Sequence, residues 1–287
     1  MNDRVEVRKT YKLFIGGAFP RSESGRTYEV HDTDDKFLAN AAKASRKDGR
    51  DAVLAARKGF GAWSSATAYN RGQVLYRVAE VMEGRRDQFI ADVRAAEGLG
   101  DKKSARVVDT AIDRLVWYAG WADKYAQVLG NTNPVAGPYF NFSIPEPTGV
   151  VAAIAPQNSS LLGLVSVIAP IIVTGNVVIV VASTLRPIPA ITLTEVVATS
   201  DVPSGVINVL TGDPAEIAPW LASHGDVNAI DLTGVTSAEL AKNLEVEAAG
   251  TVKRIRRPAQ PNWLATPDLG HLRSFVETKT VWHPLGA

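Results

Sequence analysis

The side chains whose types could carry chemistry are four histidines, one run of basic residues and a few paired glycines, in a chain of 287 residues that contains no cysteine. Without a thiol there is no thiolate nucleophile, no disulfide and no thiolate metal site. His31, His224, His271 and His283 lack the short spacings with which metal ligands converge, so surface or structural roles are expected for them. No G-x-S-x-G segment offers a serine nucleophile on a strand-to-helix turn. Gly16-Gly17 and Thr211-Gly212 read as turn glycines rather than phosphate loops, because no G-x-G-x-x-G follows a strand. Lys253-Arg254-Ile255-Arg256-Arg257 could meet phosphates, but a formal net charge of +1 gives the chain no field to draw in nucleic acid or an anionic membrane. That run reads as a solvated linker or a protein contact.

The elements that would position these residues fall into three textures. At the start, Lys12-Leu13-Phe14-Ile15 before Gly16-Gly17, and Thr27-Tyr28-Glu29-Val30 after Ser24-Gly25, suggest short strands and turns. Helical periodicity follows over 50–60, 70–86 and 104–129, with stripes such as Val74, Leu75, Val78, Val81 and Met82 reading as core. From Gly149 the pattern becomes wholly apolar runs of strand length alternating with helices. Strands are expected at 149–154, 176–181, 205–210 and 227–232, and helices at 189–199, 215–223 and 237–248. Such runs suit strands buried on both faces of a parallel sheet, and the alternation predicts a doubly wound α/β fold. The apolar stretch 160–181 is interrupted by Pro170, Gly175 and Asn176, which suits a buried helix, a turn and a strand better than a membrane span. The polar opening Met1-Asn2-Asp3-Arg4-Val5-Glu6 is unlike a signal peptide, so a cytoplasmic protein is expected. Two segments stand outside the α/β rhythm, Tyr139-Phe140-Asn141-Phe142-Ser143-Ile144 and Phe275-Val276-Glu277-Thr278-Lys279-Thr280-Val281-Trp282. Both alternate as strands do, and both need an edge or a partner.

The ordered set of segments resembles an NAD(P)-dependent aldehyde dehydrogenase. Leu13-Phe14-Ile15-Gly16-Gly17, then 51–60, then Trp117-Tyr118-Ala119-Gly120-Trp121-Ala122, are similar to that family's N-terminal half. Glu146-Pro147-Thr148-Gly149-Val150-Val151, Val206-Ile207-Asn208-Val209-Leu210-Thr211-Gly212 and Thr233-Gly234 look like its nucleotide-binding sheet in the right order, and Val276 to Trp282 is similar to its oligomerisation tail. The resemblance implies a Rossmann-like nucleotide-binding domain with N-terminal helices over 1–138 and 149–252, and oligomerisation strands at 139–148 and 273–287. It implies a linker, 253–272, where the family carries a catalytic domain of about 150–200 residues. The nucleophilic cysteine and general-base glutamate would be absent with that domain.

The resemblance also marks departures within the nucleotide site. The family's Pro-Trp-Asn stands here as Pro156-Gln157-Asn158, so Asn158 is a vestigial oxyanion donor with nothing to stabilise. The lysine and glutamate that hold the adenosine ribose correspond to Val181 and Thr184, and a hydrocarbon at Val181 donates to no hydroxyl. The family's Thr-Gly-Ser and a later glycine correspond to Thr233-Gly234-Val235 and Glu239. At a helix N-terminus that glutamate would repel phosphate and satisfy the helix end itself.

These readings predict a chain that binds no cofactor and is not an enzyme by itself. They predict a scaffold or regulatory subunit of an aldehyde dehydrogenase complex, paired with a full-length active paralogue in a two-plus-two heterotetramer or larger assembly, with NAD or NADP in the partner. Tyr139, Phe140, Phe142, Ile144, Phe275, Val276, Lys279, Val281 and Trp282 are expected at the contact. The physical motive is an inner face left uncovered by the missing domain, since exposed apolar patches favour association. The alternative is a stand-alone NAD-binding oxidoreductase or sensor.

Overall fold

A computed structural model describes residues 9–286. Its elements, in chain order, begin with strands β1 (Thr10–Tyr11), β2 (Thr27–His31) and β3 (Phe37–Ala42). Helices α1 (Arg46–Ser65), α2 (Ala68–Glu83), α3 (Arg86–Glu97), α4 (Asp101–Trp121) and α5 (Tyr125–Leu129) follow. Then come β4 (Asn131–Asn133), β5 (Tyr139–Pro147), β6 (Val150–Ile154), α6 (Leu162–Val173), β7 (Val177–Val181), α7 (Ile188–Val197) and β8 (Ile207–Leu210). The chain closes with α8 (Pro214–Ser223), β9 (Ala229–Asp231), α9 (Ala238–Ala249), β10 (Arg254–Arg256), α10 (Gly270–Ser274) and β11 (Val276–Pro284).

The apolar runs form a parallel sheet in the order β10-β9-β6-β7-β8. Every residue of β6, β7, β8 and β9 is buried, as strands covered on both faces must be. Helix α6 is buried on every side, and its last carbonyls are met from outside the helix. Trp63 Nε1 donates to Ile172 O at 2.8 Å and Arg71 Nε to Val173 O at 2.9 Å. Those bonds satisfy acceptors that a helix C-terminus otherwise leaves orphaned. At the other end Glu97 Oε1 accepts from both Ser160 N and Ser160 Oγ at 2.7 Å.

Several elements differ from expectation. Arg254–Arg256 was expected in the linker and is instead the fifth parallel strand, in register with Ala229–Asp231. Its basic side chains are paired within the chain: Arg254 meets Glu277 at 2.6 Å on the surface, and Arg256 donates to Ser274 Oγ at 3.0 Å. Gly270–Ser274 is a short helix, so the irregular part of the linker is 257–269. Asn131–Asn133, expected within the first domain, is the third strand of the small antiparallel sheet, ordered β11-β5-β4. The segment Lys12 to Ile15 is no regular strand; Phe14 makes a single antiparallel bridge to Val209. The helix expected over 104–129 is broken at 122–124, while α3 and β3 were not anticipated.

Candidate functional site

Doubly wound sheets bind ligands outside the carboxyl ends of their strands, where strand order reverses. Here β6 has β7 on one side and β9 on the other, so the crevice lies between the turns that follow β6 and β9. Those turns carry Pro156-Gln157-Asn158 and Thr233 to Ser237. The first is closed by its own side chain. Gln157 Nε2 donates to Ala155 O at 2.8 Å, and its Oε1 accepts from Thr184 N at 3.0 Å. Thr184 Oγ1 in turn donates to Gly212 O at 3.0 Å. The carboxamide and the hydroxyl that a ribose would need are therefore already engaged.

The second turn is fused to the end of β6. Gly234 N donates to Ile154 O at 3.0 Å, and a Cβ on Gly234 would lie 2.1 Å from Ala155 O. Glycine is required there for close approach of two backbones, not for a phosphate. Val235 is buried, with its N–H spent on Leu232 O at 2.9 Å. Val181, paired in register with Ile154 and Leu210, is fully buried in the hydrophobic core, and its side chain is not open to the crevice.

The helix that follows corrects one expectation. Ser237, not Glu239, caps α9, its side chain accepting from Leu240 N at 3.2 Å. Glu239 is exposed in the first turn and lines none of the three hollows around the crevice. The carboxylates that do line these hollows belong to Asp213, the N-cap of α8, and to Glu245 of α9. One hollow of about 190 Å³ lies among Gln157, Thr184, Asp213, Gly234 and Ser237, and one of about 80 Å³ among Asn158, Thr233, Gln260, Pro261 and Trp263. A third, about 460 Å³, opens between α9 and residues 258–260, and among the described residues Lys242 is the single cation lining any of the three. Asn158 is exposed, and its backbone O accepts from Arg186 at 3.1 Å. The space is sufficient, but ribose-partner positions held by Val181 and an already bonded Thr184, with an acidic N-cap beside them, do not fit a dinucleotide diphosphate.

Sequence reasoning missed a buried polar cluster beside this crevice. Asp231, at the end of β9, is fully buried and accepts from His271 Nε2 at 2.8 Å and from Thr233 N at 2.8 Å. Arg256 stands 3.9 Å away. Burial pushes the Asp231 carboxyl upward, but the His271 hydrogen bond and charge outweigh it, and its pKa lies below the usual value. The signal was an aspartate in an otherwise apolar strand pattern. Of the other histidines, His31 sits 3.5 Å from Glu29, His224 ends α8 and His283 is exposed. Among the described residues no group of three or more His, Asp or Glu is placed to hold a metal.

The inner face expected to be uncovered is covered in part by the segment after β10. Residues 257–269 cross the carboxyl edge of the sheet. Arg114 donates to Trp263 O at 2.7 Å and to Ala265 O at 2.9 Å, and Trp263 packs against the core. Burial lowers the Arg114 pKa.

The antiparallel sheet is different in kind. Strand β11 pairs with β5 along nine residues, Val276 with Pro147 through Pro284 with Tyr139. Alternation sorts the expected contact residues onto two faces. Phe140, Phe142, Ile144 and Val281 share one face, with Phe140 46% and Ile144 38% exposed. The Phe140 and Phe142 rings lie 5.4 Å apart, and Lys279 on this face pairs with Glu146 at 2.9 Å. Tyr139 and Trp282 lie on the opposite face, edge to face at 5.8 Å, with Trp282 58% exposed. That face is otherwise polar: Asn133 donates to Asn141 at 2.6 Å and to Ser143 at 2.9 Å, and Ser143 meets Thr280 at 2.9 Å. Phe275 and Val276 are buried in the chain's own core and offer no contact surface. The outer edge of β11 pairs with no strand among the described residues.

Comparison with known proteins gives these sites a context. The aldehyde dehydrogenase family matches residues 19–256. The chain is 31% identical over 253 residues to a putative aldehyde dehydrogenase, DhaS, of Bacillus subtilis, covering 87% of this chain and 50% of that protein. It is 34% identical over 262 residues to retinal dehydrogenase 2 of Gallus gallus, covering 88% and 48%. A solved salicylaldehyde dehydrogenase from Pseudomonas putida, complexed with salicylaldehyde, superposes with a TM-score of 0.79 at 27% identity, over 86% of this chain and 51% of that one. An aldehyde dehydrogenase from Bacillus cereus in complex with NAD+ superposes at 0.80 with 25% identity. The chain thus spans about half the length of the curated relatives it matches. Among the described residues no helix is long and apolar enough to cross a membrane.

Proposed function

Because this chain belongs to the aldehyde dehydrogenase family, we propose that it is a non-catalytic subunit of an aldehyde dehydrogenase assembly. It pairs through its antiparallel sheet with a full-length active member of the family. The partner supplies the thiolate that attacks the aldehyde and binds NAD or NADP, and this chain stabilises or positions the partner.

One observation carries the reading. The sheet keeps an apolar face of Phe140, Phe142, Ile144 and Val281 and an unpaired β11 edge among the described residues, while Gln157, Thr184 and Ser237 in the crevice are spent within the chain. The docking surface is intact where the chemical site is not. A strand edge beside an apolar face is the surface that β-augmentation uses. The absence of cysteine from the chain supports the division of labour.

The test is calorimetry and turnover on the purified chain. No heat with NAD or NADP and no aldehyde-dependent NAD reduction are expected from the chain alone, with turnover appearing when a full-length paralogue is co-expressed. Micromolar nucleotide binding by the isolated chain would favour the stand-alone sensor and overturn this reading.

A further inference from the structure

We infer that the turn of Thr174, Gly175 and Asn176 is a hub that locks the antiparallel sheet at one angle to the parallel sheet, and that Asn176 is the positioning residue through which the chain presents its docking surface. The angle is a property of this chain alone; its use in assembly rests on the function proposed above. The two sheets share no strand among the described residues. They join at three strand roots. Helix α5 leads into β4, β5 runs through Thr148 and Gly149 into β6, and α10 leads through Phe275 into β11. Element-terminal positions of this kind are where one body turns on another. Gly149, at a φ of +134°, has the backbone freedom for such a turn.

Each root is tied to the same turn. Asn176 is fully buried, and its carboxamide bridges two of them. Its Oδ1 accepts from Gly149 N at 2.8 Å, and its Nδ2 donates to Phe275 O at 2.8 Å. Nδ2 also donates to Thr174 Oγ1 at 2.9 Å, and that hydroxyl is itself held by Ile171 O at 2.9 Å, which orients the amide. The third root is reached through Thr174 O, which accepts from Tyr125 Oη of α5 at 3.4 Å. Arg71, whose Nε holds the end of α6 at Val173 O, also reaches Tyr125 Oη at 3.4 Å. Pro147, the last residue of β5, lies against Gly175, 3.4 Å from where a Cβ would stand.

One buried side chain therefore couples β5 and β11, the strands that carry Phe140, Phe142, Ile144 and Val281. The other ties at these roots set the angle less well. Thr148 N donates to Phe275 O at 3.2 Å, but that bond joins the two roots to each other and not to the parallel sheet. Arg254 of β10 pairs with Glu277 of β11 at the surface, where ion pairs contribute little. Phe275 and Val276 pack in the core and keep the root in place. Apolar burial is non-directional, whereas hydrogen bonds weaken steeply with angle, so the direction of the sheet falls to Asn176. A surface already held at its bound angle loses little freedom on docking, and such preorganisation raises affinity without new contacts.

The cysteine-free chain takes a pair of thiol-linked spin labels cleanly. His283→Cys, at the exposed end of β11, and Glu239→Cys, on the exposed first turn of α9, place one label on each body. Pulsed double electron resonance on the isolated chain should give one narrow distance. Asn176→Ala should broaden or shift it. Thr174→Val, which removes only the hydroxyl that orients the amide, should do the same to a smaller degree, and it carries the test if Asn176→Ala does not fold. With a full-length paralogue, the unlabelled variants should bind about tenfold or more less tightly while their circular dichroism is unchanged. A broad distribution in the parent, or a narrow and unshifted one in the variants, would overturn the lock. Unchanged affinity in a variant whose distances have broadened would overturn the positioning role. A parent chain that binds no full-length family member would instead remove the subunit reading, and the presentation role with it, while the distances still decide the lock.

Discussion

The two sheets of this molecule end in opposite ways. At the carboxyl edge of the parallel sheet, where the fold ordinarily does its chemistry, several polar groups are closed off within the chain: Gln157 and Thr184 bond inward, Gly234 is pressed onto β6, Ser237 caps its helix and Trp263 O in the segment after β10 is held by Arg114. The antiparallel sheet is open, with aromatic and aliphatic side chains on one face and an unpaired edge strand. Polar groups satisfied within a chain have little left to offer a ligand, whereas exposed apolar surface retains its free energy for association. Substitutions at the closed edge should therefore read out as stability, and substitutions on the open sheet as assembly.

The largest effect is expected at Asp231. Removing one partner of a buried, hydrogen-bonded charge pair costs about 3–5 kcal/mol, so His271→Ala should lower the urea midpoint sharply. The pair also sets a pH dependence. The folded pKa of Asp231 lies below its unfolded value, so its contribution is present above the unfolded carboxyl pKa and is lost as pH falls through the folded one. Stability should hold near neutrality and fall in acid, below about pH 4. In Asp231→Asn that acid loss should shrink, which urea titrations at stepped pH would reveal.

Next in size is Gly234→Ala. A Cβ placed 2.1 Å from Ala155 O must move backbone, and overpacking of this kind costs about 1–3 kcal/mol. Thermal melts would register it, and no loss of stability would mean that the two turns are not fused as described.

On the open sheet the balance reverses. Val281→Lys should change the stability of the isolated chain by under about 1 kcal/mol yet weaken assembly by about 2 kcal/mol or more, as a charge in an apolar contact does. Sedimentation of the co-expressed complex separates the two effects. Smallest of all is Asn158→Ala. This exposed side chain makes no hydrogen bond among the described residues, so stability and partner turnover should both stay within about 0.5 kcal/mol of the parent.

Much of this architecture was legible in the sequence, for physical reasons that also mark where legibility stopped. The wholly apolar runs 150–154 and 177–181 announce strands buried on both faces, and β6 and β7 are those strands. Strict alternation from Tyr139 to Ile144 announces a two-faced strand, and β5 is that strand. Arg254–Arg256 was hidden because an edge strand of three residues with two arginines carries no apolar period; tertiary pairing with β9 makes it a strand. Helix α3 was missed through a weak apolar stripe of Phe89, Val93 and Ala96. At the site, the residues that depart from the family pattern could be named by position, but their directions could not. Val181 faces the core and Glu239 faces solvent, because strand pleat and helix phase are set by packing partners far along the chain. The Asp231–His271 pair joins residues 40 apart, and nothing local to either announces the other.

The measurement that tests the central claim most directly is native mass determination of the chain isolated from its own cell by affinity capture, beside the same preparation carrying Val281→Lys. A full-length aldehyde dehydrogenase in fixed ratio with the parent chain, and absent from the variant, is the predicted result. A lone monomer or homo-oligomer, or a complex indifferent to Val281→Lys, would contradict the assignment of this chain as a docking subunit.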